Sequence, residues 1–242
     1  MEGMMKLDGK TAILTGAGAG IGAATARCFS QEGANIVLMD LDAKGLANTE
    51  QYCKEGKGNV LTFCNDASKL DAMDDMITQT LKSFGQIDIL LNNAVYRIHK
   101  PFLEVSHKEF QHSLEVNITS YYFLTQKVVP HMIEAGGGTI INMSSTFGFV
   151  GSPGLSPYCI SKGAVANMTR TLALELAEQN IRVNAVAPGP IETEGLLALI
   201  EKDPKVREMR EADVPSHRLG KPDEMAQVCL FCLLYTSDAA DE

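Results

Sequence analysis

Tyr158 and Lys162 stand four residues apart in the run Pro157-Tyr158-Cys159-Ile160-Ser161-Lys162. Residues at i and i+4 share one helix face, so a phenol and an ammonium at this spacing converge on one small volume. A phenol with a pKa near 10 is a poor base at neutral pH. A cation about 4 Å away favours phenolate by on the order of 1 to 4 kcal/mol, enough to lower that pKa by about one to three units. The pair is therefore suited to moving a proton on or off a substrate hydroxyl. Pro157 fits the first helical position, where its missing N–H costs nothing. Taken alone, the spacing equally describes a solvated surface pair. The elements around it decide between the two.

Those elements alternate. Short β-rich runs at Thr11–Thr15, Asn35–Asp40, Asn59–Asn65, Ile87–Asn92, Gly138–Ser144 and Ile181–Ala187 are separated by amphipathic stretches near 21–32, 43–55, 68–84, 107–134 and 157–179. This is the pattern of βαβ units on a parallel sheet. It predicts an α/β doubly wound Rossmann fold with strand order 3-2-1-4-5-6, helices on both faces and ligands at the carboxyl ends of the strands. A chain of 242 residues with 45% hydrophobic content can bury one core of this size, so a single domain is expected.

The net charge of -9 excludes nucleic acid as the main partner, because phosphate binding wants a basic stripe. The first residues carry no apolar signal region, and no run of 18 apolar residues occurs, so a cytoplasmic protein with no membrane partner is expected. The six cysteines read as small hydrophobes of a reducing compartment. Cys229 and Cys232 match a C-x-x-C spacing, yet no second pair or neighbouring histidine completes four ligands. His99, His107, His112, His131 and His217 show no ligand spacing either, and no metal is expected.

Thr15-Gly16-Ala17-Gly18-Ala19-Gly20-Ile21-Gly22 links the first strand to the first helix. Gly16, Gly20 and Gly22 allow a tight turn and a bare backbone for a pyrophosphate, and the helix N-terminus beginning at Ile21 offers free N–H groups and a positive dipole end. Asp40 ends the second strand, where a carboxylate accepts both hydroxyls of an adenosine ribose and repels a 2′-phosphate. No Arg or Lys stands in the loop, and Leu41 follows the acid. NAD is therefore expected over NADP, with Asp42 the second acid within reach.

With these residues assembled, the chain resembles the short-chain dehydrogenase/reductase superfamily over about residues 7 to 231, through its T-G-x-x-x-G-x-G loop and Y-x-x-x-K pair. The resemblance implies that Asp66 and Ala67 contact the adenine ring. It implies that Asn93 and Ala94, in the run Asn92-Asn93-Ala94-Val95, line the cofactor; Val95 stands where the family has glycine. Pro188, Gly189, Ile191 and Thr193 match its P-G motif, which holds the nicotinamide carboxamide. Asn117 occupies the place of the family's catalytic asparagine, although by type an asparagine inside a helix only competes for backbone hydrogen bonds. Ser145, thirteen residues before Tyr158, matches the serine that hydrogen-bonds the substrate oxygen, and neighbouring Ser144 is left a packing role.

The implied activity is hydride exchange between a secondary alcohol carbon and NAD, with Tyr158 as general acid/base, Lys162 also on the nicotinamide ribose and Asn117 anchoring a water relay. A hydroxysteroid such as a bile acid, or a 3-oxoacyl thioester, is an alternative substrate; Val129-Pro130-His131-Met132 is similar to bacterial hydroxysteroid dehydrogenases. A dinucleotide-binding protein without turnover, or an inert truncated chain, is the reading of another class. Residues 194–215 read as a polar, irregular, mobile lid. The resemblance further implies a homo-oligomer through helices 107–134 and 157–179, at most a dimer. It ends near Phe231, so residues 1–231 form the expected domain, the family's seventh strand is expected to be missing, and 232–242 read as a non-native, adapter-derived tail.

Overall fold

The computed structural model describes residues 5–234. Runs of Val, Ile and Leu flanked by turns form six parallel strands: β1 (Thr11–Thr15), β2 (Asn35–Asp40), β3 (Val60–Cys64), β4 (Ile89–Asn92), β5 (Gly138–Met143) and β6 (Ile181–Val186). Among the described residues their order is β3-β2-β1-β4-β5-β6, as the doubly wound pattern predicts. Successive side chains leave opposite faces of a strand, so β1 sends Ala12 and Leu14 to one core and Ile13 to the other. Both faces are covered, which is why the strands read as continuous apolar runs.

On the first face lie α1 (Gly20–Gln31), α2 (Ala43–Cys53) and α9 (Pro222–Leu233), with Phe29, Leu46 and Leu230 in the core. On the second lie α3 (Leu70–Phe84), α5 (Ser120–Glu134) and α6 (Ser156–Leu176), contributing Met76, Val128 and Leu172. Among the described residues no helix is long and apolar enough to cross a membrane.

Two expectations differ from the structure. The helix expected over 107–134 is α4 (His107–Leu114), a π-helical stretch Glu115–Thr119, and α5. The segment expected to be irregular over 194–215 is mostly two helices, α7 (Glu194–Lys202) and α8 (Lys205–Ala212). α8 is polar and buries nothing, and α7, although it holds the apolar run Leu196-Leu197-Ala198-Leu199-Ile200, is short and buries only Leu196, so the segment as a whole shows no sustained apolar stripe. Arg207 ties α8 back to the chain after β6 through Glu192 at 2.9 Å. At the other end of the domain, α9 continues past Phe231, and its last carbonyls, Cys232 and Leu233, accept from the Arg182 guanidinium at 2.9 Å each. Residues 235–242 of the expected tail lie outside the described residues.

Candidate active site

The glycine loop, the turns after β2, β3 and β4, and the start of α7 enclose a cleft of about 390 Å³. Gly16 adopts φ +63, and a Cβ there would stand 2.8 Å from the Ala94 Cα. A Cβ on Gly22 would lie 2.0 Å from the Gly16 carbonyl oxygen, so this glycine lets α1 pack onto its own loop. Asp40 reaches into the same loop, accepting from the Gly18 N–H at 2.8 Å and the Asp42 N–H at 2.9 Å. Asp42 instead caps α2 by accepting from the Lys44 N–H at 3.0 Å. Asp66 accepts from the backbone and hydroxyl of Ser68, both at 2.8 Å; these bonds outweigh burial, and its pKa is lowered.

Of the expected cofactor residues, Gly16, Gly20, Ile21, Asp40, Asp66, Ala67, Asn93, Ala94 and Thr193 line this cleft. Asn93 also donates to the Gly16 carbonyl at 2.8 Å, which locks the turn after β4 to the glycine loop. Val95 is exposed on the cleft, so its branched side chain displaces nothing in the core. Gly22, Pro188, Gly189 and Ile191 stand outside the wall. Pro188 accepts from the Thr146 N–H at 3.0 Å, and Ile191 bridges to Gly220, so both act on the backbone that carries Thr193 and Ser145. A cleft of this shape, built on glycines that admit no side chain and edged by Asp40, suits an adenine dinucleotide.

The reactive side chains gather beside the ends of β4 and β5. A buried polar ladder holds their helices to the sheet: Asn92 donates to Thr125 at 3.1 Å and to Asn142 at 2.9 Å, and Asn142 donates to Thr169 at 3.0 Å. Tyr158 lies in the first turn of α6, where the Ser145 side chain acts on its phenol and lowers its pKa. Lys162 is 2% exposed; its ammonium lies 5.8 Å from the Tyr158 ring centre. It donates to the Met143 carbonyl and to the Tyr121 hydroxyl at 3.3 Å. Ser144 donates to the Lys162 carbonyl at 2.9 Å, pinning α6 to the end of β5.

The electrostatics depart from the expectation that Lys162 depresses the Tyr158 pKa. Burial raises the phenol, while the Ser145 side chain and the Arg97 charge pull it down. Burial alone brings Lys162 down to about 7, so its charge is itself in question near neutrality. The phenol and the ammonium do share a face, but the lysine is turned toward Tyr121 and Met143.

Asn117 is fully buried in the π-helical stretch, and its amide is engaged on every side. It accepts from the Tyr96 N–H at 2.8 Å and donates to the Tyr96 carbonyl at 2.8 Å, and its remaining N–H is shared between the hydroxyls of Ser113 at 3.2 Å and Ser161 at 3.1 Å. The side chain therefore clasps the backbone after β4 rather than facing Lys162. Ser161 passes the contact to the Tyr158 carbonyl at 2.9 Å.

Several residues escape the sequence reading: His112 and Val116 line the cleft, and three more stand beside the reactive pair. Tyr121, 1% exposed, donates to the Ala94 carbonyl at 3.0 Å, and its place four residues after Asn117 was the available signal. Tyr96 enters through its backbone, which no side-chain pattern reports, and its ring stands edge-on to His112 of the cleft wall with 4.5 Å between ring centres. Arg97 stacks its guanidinium carbon 5.7 Å from the centre of the Tyr158 ring.

The short chain dehydrogenase family model matches residues 10–203. The 3-oxoacyl-[acyl-carrier-protein] reductase FabG of Thermotoga maritima is 39% identical over 228 residues, covering 94% of this chain and 91% of that protein. The 7alpha-hydroxysteroid dehydrogenase of Escherichia coli is 34% identical over 227 residues, covering 94% and 88%. The NAD+-bound xylitol dehydrogenase structure superposes with a TM-score of 0.91 at 32% identity, covering 97% of this chain and 95% of that one. Sequence and fold agree along nearly the whole chain, and it belongs to the short chain dehydrogenase family, as an oxidoreductase acting on CH–OH groups.

Proposed function

We propose that the protein interconverts a secondary alcohol and a ketone using NAD, with Tyr158 as the general acid/base. The observation that carries this reading is the gathering of Ser145, Tyr158 and buried Lys162 at the start of α6, with the Lys162 ammonium 5.8 Å from the Tyr158 ring centre and the Ser145 side chain acting on the phenol. Tyr158 takes the proton of the substrate hydroxyl, or returns it in the reverse direction. Ser145 hydrogen-bonds the same oxygen and steadies the charge that develops there. Lys162 holds the nicotinamide ribose, and Asn117 keeps the turn after β4 in register with α6. When bound, the nicotinamide supplies the hydride acceptor or donor.

Asp40 favours NAD over its phosphorylated form, because its carboxylate edges the cleft and Leu41, 69% exposed, brings no cation beside it. The relatives act on thioesters, steroids and polyols by their names, and a small or medium alcohol fits the same chemistry. Helices α5 and α6 flank a surface groove of about 430 Å³ lined by Tyr122, Met168 and Leu172, which supports pairing of two copies there. A reducing, cytoplasmic setting suits the six free cysteines, of which Cys229 is pushed up to about 12 by burial and is no thiolate.

Replacing Tyr158 with Phe is expected to lower turnover by about 10²- to 10⁴-fold while NAD still binds, read from reduced-cofactor absorbance and a separate binding titration. Near-normal turnover would refute the assignment. Asp40→Ala is expected to narrow the NAD to NADP ratio of kcat/KM; a ratio unmoved by it would count against the cofactor reading.

A further inference from the structure

Arg97 is a cation beside the reactive phenol, and its charge lowers the Tyr158 pKa. It lies three residues beyond Ala94 on the turn after β4, with its guanidinium carbon 5.7 Å from the Tyr158 ring centre. Among the described residues it forms no ion pair. Arginine stays charged throughout the accessible pH range, so this charge is permanent. Stacking on an aromatic ring alone would make it a packing feature. A second cation argues for more. Arg210 of α8 stacks its guanidinium carbon 5.8 Å from the centre of the Phe147 ring, and the Phe147 N–H donates to the Ser145 hydroxyl at 3.2 Å. The acid near Arg210 is Asp213, 3.7 Å away with a side chain 64% exposed, a weak solvent-screened pair.

The two guanidinium groups thus approach the Ser145–Tyr158 pair from different elements, one on the turn after β4 and one on α8. Partial burial lowers the Arg97 pKa first, Tyr158 opposes that, and the Arg210 charge lowers it further, so the two cations repel one another across a space that stays open to solvent on the Arg97 side. An anion between them would relieve that repulsion, and the planar fork of a guanidinium matches a carboxylate in two hydrogen bonds. The chain as a whole is acidic, with a net charge of -9, so its general field repels such a ligand and only a local cationic pair selects it.

We propose that Arg97, assisted by Arg210, selects a substrate bearing a carboxylate a few bonds from the reacting carbon, a short hydroxy acid or the matching oxo acid. This rests on the alcohol–ketone reading above. It narrows that reading, because a polyol or a neutral acyl ester leaves both cations without a partner.

The test is a matched panel of 3-hydroxybutanoate and 4-hydroxypentanoate with their methyl esters, assayed with NAD on the wild type, Arg97→Met, Arg97→Lys and Arg210→Met. Thermal melts with each compound in the presence of NAD run alongside. The expected result is a kcat/KM for one of the acids about tenfold to hundredfold above its ester, the worth of a charge-assisted hydrogen bond. That ratio collapses in Arg97→Met, is partly kept in Arg97→Lys and shrinks less in Arg210→Met. Esters turned over as well as acids, or an acid preference untouched by Arg97→Met, would overturn the inference and leave the oxidoreductase reading standing. Acids that raise the melting temperature of the wild type but not of Arg97→Met, with no turnover of any compound, would uphold the anion site and overturn the hydride-transfer reading. Neither turnover nor stabilisation by the acids would overturn the inference as well.

Discussion

The ammonium of Lys162 donates to the Tyr121 hydroxyl at 3.3 Å, and that hydroxyl donates onward to the Ala94 carbonyl at 3.0 Å. One buried phenol therefore couples the lysine of α6 to the wall of the cofactor cleft. Removing the hydroxyl while keeping the ring leaves a buried carbonyl and a buried ammonium short of a partner. Tyr121→Phe is expected to cost about 1 to 3 kcal/mol of stability in a urea titration and to lower kcat. Unchanged values for both would show that the link carries no energy.

The protonation of Lys162 makes a pH prediction. Burial holds it at about 7, against about 10.4 in an unfolded chain. Between these values the unfolded state binds more protons, so this group's contribution to stability rises with pH across the window. Below about pH 7 it is charged in both states and the burial cost is present in full. Lys162→Met removes the ionisation. Its melting temperature relative to the wild type is expected to be highest below neutrality and to fall steadily toward about pH 10. A difference that stays flat over the series would contradict a buried, ionisable Lys162.

Asn117 holds both backbone groups of Tyr96 from inside the π-helical stretch. An Asn117→Leu variant of similar volume leaves those groups unpaired in a buried place. The expected result is a stability loss of about 2 to 4 kcal/mol, as two such groups lose partners. Amide exchange at Tyr96 should become faster than at the strand residue Leu91. Protection of Tyr96 equal to the wild type would mean that water or another group replaces the clasp.

Pairing through α5 and α6 is checked by sedimentation. The wild type is expected to run as a dimer, and Met168→Glu, which places a charge in the groove lined by Tyr122 and Leu172, as a monomer. A stable tetramer, or a dimer that ignores the charge, would point to another surface.

Much of this protein was legible before any tertiary contact was known. Strands β1 and β2 fall where the apolar runs place them, because an α/β sheet covered on both faces requires uninterrupted apolar stretches. Gly16 and Asp40 were legible for a similar reason: the turn after β1 needs a backbone that only glycine adopts cheaply, and an acid at the end of the next strand has one nearby cleft to enter. The helices α7 and α8 were not: α8 is polar and ion-paired and carries no apolar stripe, while α7 is a short apolar run set between charged residues that buries only Leu196.

The sequence by itself determined the order of the elements, the glycine loop and the face shared by Tyr158 and Lys162, because each follows from local spacing and backbone sterics. Tertiary structure alone decided what those side chains touch. It turned Lys162 toward Tyr121 and lowered its pKa to about 7, spent the amide of Asn117 on Tyr96, and stacked Arg97 on Tyr158. Desolvation and through-space contact depend on which distant segments close around a group, and no spacing along the chain records that.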